Sequence, residues 1–225
     1  MRRADQGGII GSVWEELSEP WRAGVEEAWE AYRSGSLPIG AVVTDAHGHV
    51  LSRGRNRIHE RSGPSGTVFD HKLAHAELNA LLSLDHREYD LRACVLWTTE
   101  PCPLCVGAAR MSEIGGLRYA SREPWGGSAA MFETVPYLTR KNVDVMGPQD
   151  GRLEGVLVPL KVESFLRLQP KILERFLRLY EETMPEATAA GRRLHRSGLL
   201  RAMIDERALT SEVLLRVGNE VASGA

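Results

Sequence analysis

His75, Cys102 and Cys105 carry imidazole and thiol groups in two short motifs, His75-Ala76-Glu77 and Pro101-Cys102-Pro103-Leu104-Cys105. Two cysteines with two residues between them, at the opening of a helix, put both thiols on one side and one turn apart. That spacing suits a grip on a single metal ion. Pro103 is at ease in a helix's first turn, where its missing N–H removes no hydrogen bond. The positive end of the helix dipole and the metal itself both favour the thiolates that act as ligands. Two cysteines leave a zinc ion short of four ligands, and His75 supplies a third from the start of a different helix. Three protein ligands leave one position open for water, the mark of a catalytic site and not of a closed structural one. Zinc lowers the pKa of such a water from 15.7 to roughly 7. Glu77 is the proton carrier that the site needs. Residues at i and i+2 of a regular helix do not share a face, so Glu77 is poorly placed as a second ligand to the ion that His75 holds. Near the first turn it instead points across the open position and takes a proton from the water.

The elements that must position these side chains follow from periodicity and turn chemistry. Val13, Leu17, Trp21, Val25, Ala28 and Trp29 recur mostly three or four apart, which predicts an amphipathic helix over 13–33, ended by Gly35 and Pro38. Residues 39–43 and 50–54 flank a compact Asp45-Ala46-His47-Gly48 turn and predict a hairpin. Residues 59–68 are polar and rich in Gly, Ser and Pro, hence a loop. Helix composition over 74–84 and 102–113 alternates with short apolar strands over 93–98 and 117–120, and a last strand is expected over 143–146. Alternating elements of this kind argue for a layered sheet with helices on its faces. From Lys161 onward the pattern is helical, with Ile172, Phe176 and Tyr180 at i, i+4 and i+8, and with Pro185 and Gly191 as punctuation. The expected division is a zinc-dependent domain over 1–160 and a helical C-terminal extension over 161–225, whose apolar stripes need burial.

Several segments together resemble the cytidine deaminase-like superfamily: residues 38–43 (PIGAVV), Asn56, residues 75–81 (HAELNAL) and residues 98–108 (TTEPCPLCVGA). HAE with PCPLC is most similar to the branch that holds guanine deaminases, fungal-type cytosine deaminases and bacterial tRNA adenosine deaminases. The resemblance covers about residues 38–120. It implies an α/β protein with the three-layer α-β-α cytidine deaminase-like fold, a central mixed sheet of about five strands, bound Zn2+ and a homodimer. It also implies that Glu77 passes protons to a ring nitrogen and to the departing amine, that Asn56 hydrogen-bonds the base, and that the Ala76 backbone N–H helps to hold it. Free cytidine deaminases usually carry Cys where this chain has His75. His71 stands where many relatives have Asp, the 124–128 loop with Trp125 follows no one subfamily, and the helical extension is longer than in minimal members. These departures bear on substrate identity and not on the chemistry.

Other residues have blander readings. Cys94 lies in an apolar strand and reads as a small core residue. His59, His71 and His195 read as surface residues. Asn56 either binds substrate or stabilises the turn after the hairpin, and Trp125 either stacks on a base or packs on its own loop. Arg192, Arg193, His195, Arg196 and Arg201 offer a phosphate contact, but acids are nearly as frequent around them and a solvated helix face is the first reading. Of the 225 residues, 43% are hydrophobic and 26% charged, values of an ordinary globular chain. Formal net charge is -2, with no basic surplus. That argues against a large polynucleotide partner, although totals average over faces. Three cysteines, two of them tightly spaced, fit a metal site better than a disulfide framework. No segment has the apolar core of a signal peptide or the roughly 18 apolar residues of a membrane span, so a cytoplasmic location without a membrane partner is expected. The expected activity is hydrolytic removal of an exocyclic amino group from a free nucleobase, nucleoside or related amino-heterocycle, with a guanine-like purine first. Two alternatives stand beside it: deamination of tRNA adenosine, and a zinc-stabilised binding module without catalysis.

Overall fold

The computed structural model describes residues 14–222 apart from 141 and 150. Helix α1 spans Glu19–Arg33. The expected start at residue 13 lies outside the described residues; residues 14–16 are helical, a break at 17–18 follows, and Pro20 sits in the first turn of α1, where its missing N–H removes no hydrogen bond. Strands β1 (Gly40–Thr44) and β2 (Val50–Arg55) form the expected hairpin. Helix α2 (Ala76–Leu82), β3 (Val95–Thr98), α3 (Pro103–Met111), β4 (Gly116–Tyr119), the single turn α4 (Met131–Thr134) and β5 (Asp144–Met146) follow. The sheet order is β2-β1-β3-β4-β5, antiparallel from β2 to β3 and parallel from β3 to β5.

Two glycines establish the layers. Gly40 pairs with Arg55 and Ala41 with Gly54, so Gly40 and Gly54 occupy opposite faces of the hairpin. A Cβ on Gly40 would lie 2.0 Å from the Gly24 carbonyl oxygen of α1; one on Gly54 would lie 2.4 Å from the Ala76 carbonyl oxygen of α2. Helices α1 and α2 therefore cover opposite faces, and α3 packs beside α2. The mixed five-stranded sheet is thus sandwiched as the sequence leads one to expect. Trp21 of α1 meets Trp97 of β3 edge to face at 5.0 Å. On the other face the core gathers Val43, Ala76, Ala80, Leu96, Val106 and Leu117. Cys94 belongs to that core, and burial pushes its thiol pKa up.

Gly54→Ala is expected to lower stability by about 1–3 kcal/mol, because backbone at 2.2–2.4 Å must be displaced. Gly107→Ala inside α3, where an added Cβ meets nothing within 4 Å, is expected to raise it by about 0.5–1 kcal/mol. Urea unfolding midpoints of the two variants should move in opposite directions.

By internal contacts, residues 19–151 form one compact unit and residues 14–18 with 152–222 another. The second unit is helical: α5 (Gly151–Leu168), α6 (Leu173–Thr183), α7 (Pro185–Ser197), α8 (Leu199–Asp205) and α9 (Thr210–Ala222). Helix α5 runs through residue 160 and contains Pro159. Burial of Leu153, Val156, Leu157 and Leu160 on this one helix outweighs the roughly 3 kcal/mol that an interior proline costs. Gly191 does not punctuate. It sits within α7, where a Cβ would lie 2.6 Å from Val162 of α5, and the chain turns instead at Gly198, φ 65°. Phe165, Phe176 and Tyr180 stack at 3.7 and 4.1 Å in this unit's core. His195 is exposed, as expected, and its Nδ1 is bonded to the buried Glu163 at 3.1 Å. Among the described residues, no helix is long and apolar enough to cross a membrane.

Candidate metal and catalytic site

The two motifs meet where α2 and α3 begin. His75 is the N-cap of α2 and Cys102 the N-cap of α3, both in extended backbone conformation. Pro103 occupies the first turn of α3, as its missing N–H suggests. His75 Nδ1 lies 3.5 Å from Cys102 Sγ and 3.4 Å from Cys105 Sγ, and the two sulfurs are 3.5 Å apart. With zinc–sulfur bonds of about 2.3 Å and zinc–nitrogen bonds of about 2.0–2.1 Å, a tetrahedral ion needs ligand atoms about 3.5–3.8 Å apart. The donor set and the triangle both fit zinc, with one position left over.

The electrostatics match that fit. The Cys102 thiol is pulled down to about 4, first by the hydrogen bond it shares with Cys105 and then by His75. The same bond, burial and the nearby Glu77 charge push the Cys105 thiol up. His75 is raised, chiefly by its contact with Cys102 and next by Glu77. Negative charge is thus gathered where a cation neutralises it.

Glu77 is buried, and its Oε1 accepts a hydrogen bond from Thr98 Oγ1 at 3.0 Å. His75 has ψ 152° and stands outside the helical repeat. Glu77 is not one of the three residues whose ligand atoms gather within 4.8 Å of one another, and its charge acts on both His75 and Cys105. Thr98 was not legible as a partner, although it lies in the same TTEPC segment.

Asn56 is buried at the end of β2; its N–H bonds the Ile39 carbonyl at 2.9 Å and its Oδ1 accepts from the Ile58 N–H at 3.3 Å. The turn-stabilising contact is therefore present, while Nδ2 has no acceptor among the described residues. Ala76, buried, is the first residue of α2, where a backbone N–H has no partner within the helix. Trp125 is 38% exposed. Its N–H donates to Glu123 Oε1 at 3.1 Å, and Glu123 N–H donates to Glu100 Oε2 at 2.9 Å. Ser128 N–H reaches the Pro101 carbonyl at 2.9 Å, which seats the loop against the segment that leads into Cys102. His71 is exposed, its Nδ1 accepting from the Leu73 N–H at 3.1 Å.

Asn79 went unnoticed in the sequence. Its Oδ1 accepts from Val68 N–H at 2.8 Å, and its Nδ2 donates to the carbonyls of Arg55 and Val68 at 3.1 and 3.0 Å. One buried amide thus ties β2 and the 56–75 loop to the helix that carries Glu77. Asn79→Leu is expected to cost about 1–3 kcal/mol, since it strands buried backbone groups, and to speed hydrogen exchange at the Val68 amide.

Comparison with known proteins places this geometry. Residues 15–121 match the cytidine and deoxycytidylate deaminase zinc-binding region. A tRNA(Ile)-lysidine synthase of Deinococcus radiodurans is 32% identical over 118 residues, 49% of this chain and 19% of that protein. A tRNA-specific adenosine deaminase of Bacillus subtilis is 31% identical over 109 residues, 46% of this chain and 60% of that protein. The guanine deaminase of Bacillus subtilis is 28% identical over 103 residues, 44% of this chain and 60% of that protein. The chain spans less than two thirds of each relative. The superfamily resemblance read from HAE and PCPLC agrees with these matches, and the zinc-binding character of the matched region agrees with the His75, Cys102 and Cys105 group.

Proposed function

We propose that this protein is a zinc-dependent hydrolytic deaminase that replaces the exocyclic amino group of a purine with oxygen. The observation that carries the reading is the convergence of His75, Cys102 and Cys105 on one point beside the buried, Thr98-anchored Glu77. Zinc, when bound by these three residues, supplies an activated water at neutral pH. Glu77 takes the proton of that water, delivers it to a ring nitrogen, and passes a second proton to the amine as it leaves. One water enters and one ammonia departs. The free Nδ2 of Asn56 and the first-turn N–H of Ala76 offer donors to the base, and the Trp125 loop borders it.

A guanine-like purine, free or as a nucleoside, is the first substrate. The two deaminase relatives act, by their names, on guanine and on tRNA adenosine, and an amino-purine is what these two have in common. The second reading is a tRNA adenosine deaminase, favoured because two of the three relatives named above are tRNA enzymes. The three free cysteines suit a reducing cytoplasm. A homodimer is the proposed assembly, to be read from light scattering.

The test is ammonia release by the zinc-loaded protein from free bases, nucleosides, pterins and triazines. Release from the purines supports the first reading. Silence on the whole panel, with inosine formed in tRNA, replaces it with the second. Silence on both, with zinc verified in place, overturns the deaminase assignment.

A further inference from the structure

A cleft of about 780 Å³ opens beside the end of β2, lined among others by Ser34, Arg55, Arg57, His59, Glu60 and Arg61. We propose that it binds phosphate. Glu60 is its one acidic lining residue, and it is buried and fully engaged. Its Oε1 accepts from Arg55 Nε at 2.9 Å, and its Oε2 accepts from Arg55 Nη2 at 3.0 Å and from Arg57 Nη1. Three guanidinium groups thus line a cleft with a single carboxylate.

The floor residue has an edge to spare. Arg57 is 8% exposed, and only its Nη1 is bonded. Among the described residues its Nε and Nη2 meet no acceptor, and neither atom is sealed away unpaired in the interior. That edge presents two parallel N–H groups, the geometry that matches two oxygens of a phosphate. Burial strengthens each such contact relative to water. At the mouth, Arg61 and His59 are exposed and make no side-chain ion pair among the described residues.

The acids facing this cluster from α1 do not cancel it. Glu26 pairs with Arg53 at 2.7 Å and Glu30 with Arg33 at 2.6 Å. Glu27 lies in reach of Arg55 first and of Arg53 and Arg57 after it, and burial pushes its carboxyl pKa up. A purely structural cluster that pinned the 56–70 loop would use Nη1 of Arg57 and have no need of the Nε–Nη2 edge. The cleft also lies close to the metal group along the chain. Arg57 follows Asn56, and its N–H bonds the Ala74 carbonyl at 2.9 Å, one residue before His75. The phosphate is either that of a purine-bearing substrate or free inorganic phosphate.

The experiment is calorimetric titration of the full, zinc-loaded chain with inorganic phosphate, ionic strength held constant with chloride. Saturable binding is expected, weakened about tenfold or more by Arg57→Lys, the scale of one charge-assisted hydrogen bond. Arg61→Ala, an exposed position that leaves the fold intact, is expected to weaken it severalfold and carries the test should Arg57→Lys misfold. Heat no greater than the chloride control, or a phosphate affinity indifferent to Arg61→Ala, overturns the proposal. A second arm compares a purine nucleoside 5′-monophosphate with its nucleoside. Tighter binding of the monophosphate, with the gap closed by Arg61→Ala, assigns the cleft to the substrate's phosphate. Saturable phosphate binding without that gap assigns it to the free ion. Binding is read without turnover, so this proposal and the deaminase reading fail separately.

Discussion

Glu77→Gln is expected to lower kcat by about 10²–10⁴-fold, the usual contribution of a positioned acid–base group, while zinc content stays at that of the unaltered protein. The amide keeps the size of the carboxylate and can still accept from Thr98 Oγ1, so the buried pocket and that hydrogen bond survive. What is lost is the ability to hold and return a proton. Zinc quantified by atomic absorption, beside ammonia release from the best substrate, checks both halves at once. An unchanged rate in the variant would leave the zinc-stabilised binding module as the better account, more so if chelation then unfolded the protein. Loss of both zinc and rate would instead place Glu77 among the metal's own ligands.

Cys105→Ala is expected to abolish activity by emptying the metal site. Cys105 is fully buried and sits 3.5 Å from Cys102 Sγ and 3.4 Å from His75 Nδ1. Its removal leaves two ligands for an ion that favours four-coordination, and the weakening should exceed the roughly 10–100-fold seen when only a ligand's supporting partner is lost. The variant also leaves the Glu77 carboxylate and the Cys102 thiolate in a pocket without the cation that balances them. Stability is expected to fall with zinc content, because ligand binding to the folded state stabilises it by mass action. Melting temperatures with and without chelator separate the effects: a large drop for the unaltered protein and almost none for the variant. An equal drop in both would show that the metal is held elsewhere. Cys94→Ala is the control, since its sulfur belongs to the core and bonds the Asp90 carbonyl at 3.5 Å.

The covalent sequence by itself determined the metal group, because metal chemistry restricts both residue type and spacing. Only a few side chains bind zinc, and a CxxC at a helix start leaves little freedom in where its thiols point. It also determined the layered α/β order, since strand and helix periods differ and Gly, Pro and Asp punctuate them. Tertiary structure decided what depends on residues far apart in the chain. Thr98 meets Glu77 across 21 residues, and Asn79 reaches back to Arg55 and Val68; neither partner leaves a periodic trace. His75 stands outside the helical repeat that Glu77 follows because of one backbone angle at an N-cap, below the reach of a helical-wheel argument. Helix α5 runs through Pro159 because the burial of its apolar side chains outweighs a local penalty, and Gly191 lies within α7 because Val162 packs against it. The Arg55–Glu60–Arg57 cluster went unread in the sequence, where residues 59–68 are a polar loop. These residues are near in sequence, yet only the folding of the 56–70 loop buried Arg57 and Glu60 and left a guanidinium edge to spare, because no local period marks which side chains of a loop turn inward.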